Sequence, residues 1–232
     1  MTVEISQRQA ARIVGITYLA ALPPAVFAEF FVRNRLVVAG DAAQTALNIV
    51  SHERLFRLGI AANLTVFTLD VLLIAALYVV LKPVQRILAL TALGWGLIEN
   101  AILVITALTD FDALRLLSGA VYLHALEPAQ LQALARASVG AHGAAYNVGL
   151  FLAGLRSTAF CVLWLRSRYV PRALATLGII ASFLMGACAF TFIVFPELSN
   201  VLSVAVYGGP IFLFELTMGL WLVARGIREG SG

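Results

Sequence analysis

Six long apolar segments constrain this chain more than any other feature of its sequence. Each is near the roughly 20 residues that an α-helix needs to cross about 30 Å of hydrocarbon. They lie near residues 11–33, 56–81, 87–108, 143–166, 172–195 and 209–227. The chain is 61% hydrophobic and 12% charged, with a mean hydropathy of +0.94, which leaves too little polar surface for a soluble domain. We predict an all-α fold, a six-transmembrane-helix bundle in which residues 1–232 form a single integral membrane domain.

The positions of Lys and Arg predict the orientation in the membrane, because short cytoplasmic loops retain basic residues. The two shortest loops, LKPVQR and RSRYVPR, contain basic residues and no acidic ones. Both are cytoplasmic if the N-terminus is inside, and the inner face then carries nine basic residues against six outside. The nine are Arg8, Arg12, Lys82, Arg86, Arg166, Arg168, Arg172, Arg225 and Arg228. We predict a multi-pass protein of the bacterial cytoplasmic (inner) membrane with both termini cytoplasmic.

The net charge of +4 is consistent with anchoring in the lipid bilayer. No basic stripe is interleaved with aromatic residues, so we expect no nucleic-acid partner. The long outer connections carry helical patterns and are expected to form short amphipathic helices. Asp41 and Gln44 have the spacing of a capping box, Asp112 is predicted to cap a helix carrying Leu114, Leu117 and Val121, and Pro128 is predicted to open another.

Five charged residues interrupt the apolar segments: Glu29, Asp70, Glu99, Arg156 and Glu215. Charges in hydrocarbon are costly unless they are paired or hydrated, so these side chains are expected to face the protein interior. Asp70, Glu99 and Arg156 fall near the middle of their segments, at similar depth. Four acids against one arginine leave an excess of negative charge in a medium of low dielectric constant. Either several carboxyls are protonated or the interior holds water and a bound cation, and both cases describe a polar cavity with a ligand or proton-exchange site.

Helical spacing adds further candidates, since residues seven apart lie within about 20° of each other around a helix. Asn63 precedes Asp70 by seven residues, while His142 and Tyr146 share a face with Arg156. Trp95 is a candidate for stacking against a bound ligand. The predicted ligand-binding residues are Asp70, Glu99, Arg156, Glu215, Glu29, Asn63, Trp95, His142 and Tyr146.

Structural explanations for these residues remain open. Glu29 and Arg33, four residues apart, could form an interfacial ion pair, and Arg156 could form a structural pair with Asp70 or Glu99. No histidine spacing indicates a metal site, and no cofactor fingerprint is present. Gly178, Ser182 and Gly186 are spaced four apart and predict a close helix contact.

Three stretches of the chain resemble a known family. AEFFVRNRLVVAGDAAQTALNIVSHERLFRLGIAANL, SGAVYLHALEPAQLQAL and FELTMGLWLVARGI are similar to the bacterial multi-pass membrane proteins grouped as domain of unknown function 4386. The resemblance spans nearly the whole chain and implies six transmembrane helices, without an activity or catalytic residues. In GLRSTAF this chain has Arg156 where the family often has His after Gly-Leu, which implies altered chemistry or a purely structural pair here.

Three functions fit the sequence. The protein could bind or transport a small lipophilic, amphipathic or cationic molecule in a polar cavity lined by carboxylates. It could instead be a structural or regulatory subunit that packs against another membrane protein or a second copy of itself, with the polar residues fixing helix register. It could also be a membrane-embedded enzyme that modifies a lipid or isoprenoid with acid–base carboxyls, although no nucleophile motif supports this. The sequence leaves open whether the protein is an enzyme.

Overall fold

In a computed structural model, which describes residues 5–200, 202 and 204–228, the chain forms seven helices of at least ten residues. Six of them are long and apolar enough to span a membrane. The helices are α1 (Gln7–Leu36), α2 (Ala42–Ser51), α3 (Glu53–Leu81), α4 (Arg86–Leu116), α5 (Pro128–Ser167), α6 (Arg172–Val194) and α7 (Val204–Ala224). Two short 3₁₀ helices, Val121–Ala125 and Pro196–Asn200, lie between them. The predicted all-α fold with six transmembrane helices is confirmed.

Helix α1 changes its winding after two consecutive prolines. A capping box begins the helix: the backbone N–H of Gln9 donates to Oγ of Ser6, and the Ser6 N–H donates to Oε1 of Gln9. The α-helical part, Gln7–Val26, includes Pro23 and Pro24. It is followed by π-helical winding over Phe27–Arg33. Proline lacks a backbone donor, and a change of helical winding is one way to accommodate the missing bond.

The long connections that were predicted to be outer confirm one predicted cap and overturn another. Asp41 is the N-cap of α2, where its side chain accepts a hydrogen bond of 2.8 Å from the Gln44 N–H. Asp112 does not begin a helix, because α4 continues through it to Leu116, and it pairs instead with Arg115 at 3.0 Å. The reason is packing: Ala113 and Leu114 are buried, so the last turns of α4 belong to an apolar core.

Pro128 does open a helix, as predicted, but that helix is not separate from the following span. It runs for 40 residues as α5, through the segment predicted to start at residue 143. Ala135 and Val139 are buried on this extension, which gives it an apolar face to pack and explains why the helix is not interrupted.

Contacts divide the chain into two compact units. The first comprises Met1–Leu22, Thr68–Ala101 and Asn147–Gly232, and its core is built around the buried rings of Phe160, Trp164 and Phe214. The second comprises Pro23–Phe67 and Ile102–Tyr146, and its core includes Leu36, Ile49, Phe56 and Ile60. Large apolar side chains also lie on the surface, such as Ile87 (78% exposed) and Phe183 (69% exposed), as expected for helices that face lipid. The single domain of residues 1–232 stays a prediction.

Glycines allow two close helix contacts in the first unit. A Cβ atom on Gly154 of α5 would lie 2.5 Å from the Cα of Gly186 on α6, and one on Gly15 of α1 would lie 2.8 Å from the Cβ of Leu222 on α7. Ser182 also lies at the α5–α6 contact, where its carbonyl oxygen would be 3.0 Å from a Cβ at Gly154. Small residues permit such backbone approach between membrane helices, in agreement with the close contact predicted for α6.

Candidate functional site

Three charged side chains from three helices meet inside the first unit. Arg156 of α5 donates from Nη1 to Oδ1 of Asp70 on α3 and from Nη2 to Oε1 of Glu99 on α4, each over 3.1 Å. The exposed fraction is 8% for the Arg156 side chain, 3% for Glu99 and 15% for Asp70. The structure therefore brings together three of the residues that the sequence marks as ligand-binding candidates. We call these three residues the polar core.

A neighbouring amide and a glycine complete the geometry of the polar core. Asn100 donates from Nδ2 to Oδ2 of Asp70 over 2.7 Å and to the carbonyl oxygen of Gly96 over 3.1 Å. Gly96 leaves space for the arginine, since a Cβ atom there would lie 2.6 Å from Cδ of Arg156. Two consecutive residues of α4 thus take part in this cluster. Glu99 binds Arg156 directly, and Asn100 donates a hydrogen bond to Asp70.

Several buried polar atoms of this cluster lack hydrogen-bond partners in the described part of the chain. Nε of Arg156 lies 2.7 Å from Oε2 of Glu99, but this is an ion contact without hydrogen-bond alignment. The side-chain oxygen of Asn100 is also buried and unpartnered. An unsatisfied buried polar group costs about 1–3 kcal/mol. Beside the polar core, the Asn100 oxygen accepts no hydrogen bond from the described residues.

Glu215 of α7 adds a second excess acid near the polar core. Its side chain is partly buried, and the charges of Asp70 and Arg156 act on it. Within the residues that the structure describes, Glu215 forms neither a hydrogen bond nor a salt bridge. Tyr18 of α1 is buried in the same region, edge-on to Phe214 with ring centroids 6.1 Å apart, and it also lies within electrostatic range of Arg156.

The charges in this region are unequal. Asp70 and Glu99 share one guanidinium, and Glu215 has no cationic partner among the described residues. Removing ions from water costs several kcal/mol for each ion, and mutual attraction compensates only if opposite charges are matched. The negative charges of three ionised acids exceed the one positive charge of Arg156. A positive group or bound protons would be needed to neutralise it.

The remaining predicted site residues take no part in the polar contacts that join Arg156 to Asp70 and Glu99. Trp95 packs against the apolar core of the first unit. It forms no hydrogen bond with Arg156, whose partners are Asp70 and Glu99. Glu29, Asn63, His142 and Tyr146 belong to the second unit. That these five contribute to one ligand site with Arg156 stays a prediction.

The alternative ion pair between Glu29 and Arg33 does not form in the described structure. Both residues lie in the π-helical part of α1, where hydrogen bonds link residues five apart and the usual four-residue neighbour relation is lost. The guanidinium of Arg33 lies instead beside α5, where a Cβ atom on Gly143 would be 4.0 Å from Nη2.

A second buried polar pair was not predicted from the sequence. Nδ1 of His142 lies 3.0 Å from Oδ2 of Asp110 in the second unit, and the two side chains are 4% and 6% exposed. The ring of Tyr146 stacks on that of His142 with centroids 6.1 Å apart. Asp110 was missed because the third apolar segment was predicted to end at residue 108, whereas α4 extends to Leu116. The available signal was the spacing of Asp110 from Leu103 and Ala107, which are buried on the same helix.

The polar core offers acid–base and ionic chemistry. Among them, no three His, Cys, Asp or Glu side chains lie close enough together to hold a metal ion. Carboxylates around a shared arginine can bind a cationic group, exchange a proton or fix the arrangement of helices.

Comparisons with known proteins identify a family and no closer relative. Neither the curated proteins nor the solved structures include a match to this chain. A family model described as domain of unknown function (DUF4386) matches residues 13–226, which is most of the chain. With six helices able to span a membrane, the chain is a multi-pass membrane protein, and it belongs to the DUF4386 family.

Proposed function

We propose that the protein binds, and moves across or within the membrane, a small amphipathic molecule with a lipophilic body and a cationic group. The observation that carries this proposal is the unmatched charge of the first unit. Asp70 and Glu99 share Arg156, while Glu215 has no salt-bridge partner among the described residues. A cationic group of the ligand would neutralise the excess and would meet its strongest attraction where water is scarce.

The lipophilic body of the ligand follows from the surroundings of the site. The acids lie on membrane-spanning helices, and the side chains next to them in the sequence are apolar, as in FLFELTMGL around Glu215. A ligand that reaches these acids must leave water and accept apolar contacts along most of its surface. Small-molecule sites commonly combine such an apolar lining with a few well-placed polar groups.

A structural role is the second candidate, and one observation favours it. Arg156 uses Nη1, Nη2 and Nε in contacts with its two carboxylates, so α3, α4 and α5 are held together by one side chain. Buried polar groups can fix helix register without binding any ligand. On this reading, the protein would serve as a subunit packed against another membrane protein or a second copy of itself.

We further propose that the protein resides in the cytoplasmic membrane of a bacterium with both termini inside the cell. Six crossings put both ends of the chain on the same side of the membrane. The segments at that side carry nine basic residues, and short basic loops are retained in the cytoplasm. A reporter fused after residue 228 that is active only in the cytoplasm would test this topology, and activity only of a periplasmic reporter would contradict it.

Two probes of similar shape and opposite charge test the proposed function. Tetraphenylphosphonium is a lipophilic cation and tetraphenylborate a lipophilic anion, and binding of each to the purified protein in zwitterionic micelles can be measured by equilibrium dialysis. We expect the cation to bind more tightly than the anion. Glu215→Gln should weaken cation binding about tenfold, since removal of one nearby charge is worth on the order of 1.4 kcal/mol.

The matched control is Asp112→Asn, which removes an exposed acid whose side chain is 51% accessible. This variant should bind tetraphenylphosphonium as the wild type does. Equal binding of the two probes, or equal loss in both variants, would contradict a specific cation site. If the wild type binds neither probe above protein-free micelles, the structural role is favoured instead.

A further inference from the structure

A basic pocket lies where the beginning of α1 meets the end of α7, in the first unit. Its volume is about 380 Å³, and it is lined by Arg8, Gln9, Arg12, Arg225, Gly226 and Ile227. This volume falls within the range of small-molecule sites, about 300–1,000 Å³. None of the six lining residues is acidic. The pocket is separate from the polar core, which involves none of these residues.

Local sequence features form the walls of the pocket. The capping box of Ser6 and Gln9 begins α1, so that Arg8 and Arg12 follow on one face, four residues apart. At the other wall, Gly226 adopts a φ of +66° two residues after the end of α7. Glycine tolerates this left-handed conformation, which ends the helix and directs Ile227 to the same pocket.

The described residues that line the pocket include three arginines and no acid. Arg12 and Arg225 are exposed and form no salt bridge within the described residues. Arg12 and Arg225 therefore bring two like charges to one pocket. Glu4 and Glu229, the acids nearest in sequence, lie outside the described residues.

Neighbouring segments at this end of the first unit add to the positive field. Nε2 of Gln7 donates to the carbonyl oxygen of Val80 over 2.7 Å. The backbone N–H of Arg228 donates to the carbonyl oxygen of Tyr169 over 2.9 Å. These bonds hold the beginning of α1 against the end of α3, and the segment after α7 against the loop between α5 and α6. The two shortest loops carry further basic residues and no acids: Lys82, Arg86, Arg166, Arg168 and Arg172.

We propose that this pocket binds a phosphate-bearing anion, supplied either by the headgroup of an anionic phospholipid or by free phosphate. Arginine pairs with phosphate oxygens through two parallel N–H bonds, and several guanidinium groups around one cavity provide such bonds from more than one side. An anion between Arg12 and Arg225 removes their repulsion. Basic pockets between helix ends at the cytoplasmic surface are suited to lipid phosphates, because anionic headgroups are concentrated there.

Native mass spectrometry of the full-length protein tests this proposal. The probes are dioleoyl phosphatidylglycerol, an anionic lipid, and dioleoyl phosphatidylcholine, a zwitterionic lipid with the same acyl chains. The wild type should retain phosphatidylglycerol at least tenfold more strongly. The double variant Arg12→Gln/Arg225→Gln should lose most of this preference, since hydrogen bonds to charged groups are individually worth about tenfold or more in affinity.

The matched control is Arg35→Gln/Arg54→Gln, which removes the same net charge from exposed arginines of the second unit. It should keep the preference for phosphatidylglycerol. Thermal unfolding in zwitterionic micelles checks that both double variants fold, and the pocket variant should be no less stable than the wild type, because it lacks the like-charge repulsion.

Inorganic phosphate at millimolar concentration distinguishes the two sources of the anion. If it displaces phosphatidylglycerol from the wild type, the site accepts free phosphate, and if it does not, the site is specific for a lipid headgroup. Either result supports the proposal when the pocket variant alone loses binding. Equal retention of both lipids by the wild type without any effect of phosphate would overturn it, as would equal losses in the pocket and control variants.

Discussion

Gly96→Ala tests the packing of the polar core, because a methyl group at this position would occupy space that the Arg156 side chain fills. The new Cβ atom would lie 2.6 Å from Cδ of Arg156 and 3.0 Å from two methyl carbons of Ile74. Carbon atoms pack best at about 3.5–4.0 Å, so Arg156 would have to move by about 1 Å. Its guanidinium is held by Asp70 and Glu99, so this movement cannot occur without distorting the ion contacts.

The cost of Gly96→Ala can be assembled from its parts. Overpacking of a filled interior costs about 1–3 kcal/mol, and the loss of a hydrogen bond to a charged group costs about 1.5–3 kcal/mol. Alanine restores about 1 kcal/mol of helix propensity. Because these parts are not strictly additive, we expect a net destabilisation of about 2–4 kcal/mol. Equilibrium unfolding by SDS in mixed micelles, followed by tryptophan fluorescence, measures this quantity.

Gly94→Ala is the matched control, two residues earlier on the same helix. A Cβ atom at Gly94 would meet nothing within 4 Å, so only the helix propensity changes. This variant should be more stable than the wild type by about 0.5–1 kcal/mol. Equal stability of Gly96→Ala and Gly94→Ala would refute the close approach of Arg156 to α4.

Three further substitutions address other contacts. Arg156→Met should lower the free energy of unfolding by about 3–5 kcal/mol, because it leaves buried carboxylates unpaired; a loss below about 1 kcal/mol in SDS titration would contradict the ion contacts. Gly154→Ala should lower the unfolding temperature, because its Cβ atom would lie 2.5 Å from the backbone of Gly186; an unchanged unfolding temperature would contradict the close contact of α5 and α6. Asp41→Ala removes the N-cap of α2 and should cost about 1 kcal/mol; hydrogen exchange of Ala42–Ser51 should accelerate, and unchanged exchange would count against the cap.

The number and type of helices could be predicted from the sequence because the bilayer sets both length and composition. Each apolar run had to be near the length of one crossing, and a helix of that length satisfies its backbone hydrogen bonds within the lipid. The meeting of Asp70, Glu99 and Arg156 was also predictable in part, since costly charges at similar depth tend to share an interior position.

The partners within the polar core could not be predicted, because they depend on how each helix is rotated about its axis. In a membrane helix, the faces toward lipid and toward the protein are both apolar, so periodicity of hydrophobic residues gives little information on rotation. The sequence left open whether Arg156 pairs with Asp70 or with Glu99, and the structure pairs it with both. The role of Asn100 as a donor to Asp70 was missed for the same reason.

The third apolar segment was predicted to end at residue 108, whereas α4 continues to Leu116, and the helix predicted to open at Pro128 proved continuous with the span predicted to start at residue 143. Asp110 lies inside α4, where His142, 32 residues further along the chain, contacts one of its two carboxylate oxygens. Such a long-range partner is not visible in local sequence patterns. A polar residue within a helix is tolerated when another helix supplies its hydrogen bond.

A double-mutant cycle between Arg156 and Glu99, and a second between Arg156 and Asp70, tests the shared ion cluster most directly. The substitutions are Arg156→Met, Glu99→Gln and Asp70→Asn, with free energies of unfolding measured in mixed micelles. Residues in one salt-bridge network couple by about 0.5–3 kcal/mol, whereas independent sites add within about 0.3–0.5 kcal/mol. The structure predicts coupling above about 1 kcal/mol in both cycles, and additive energies in both would contradict a polar core in which two carboxylates share one arginine.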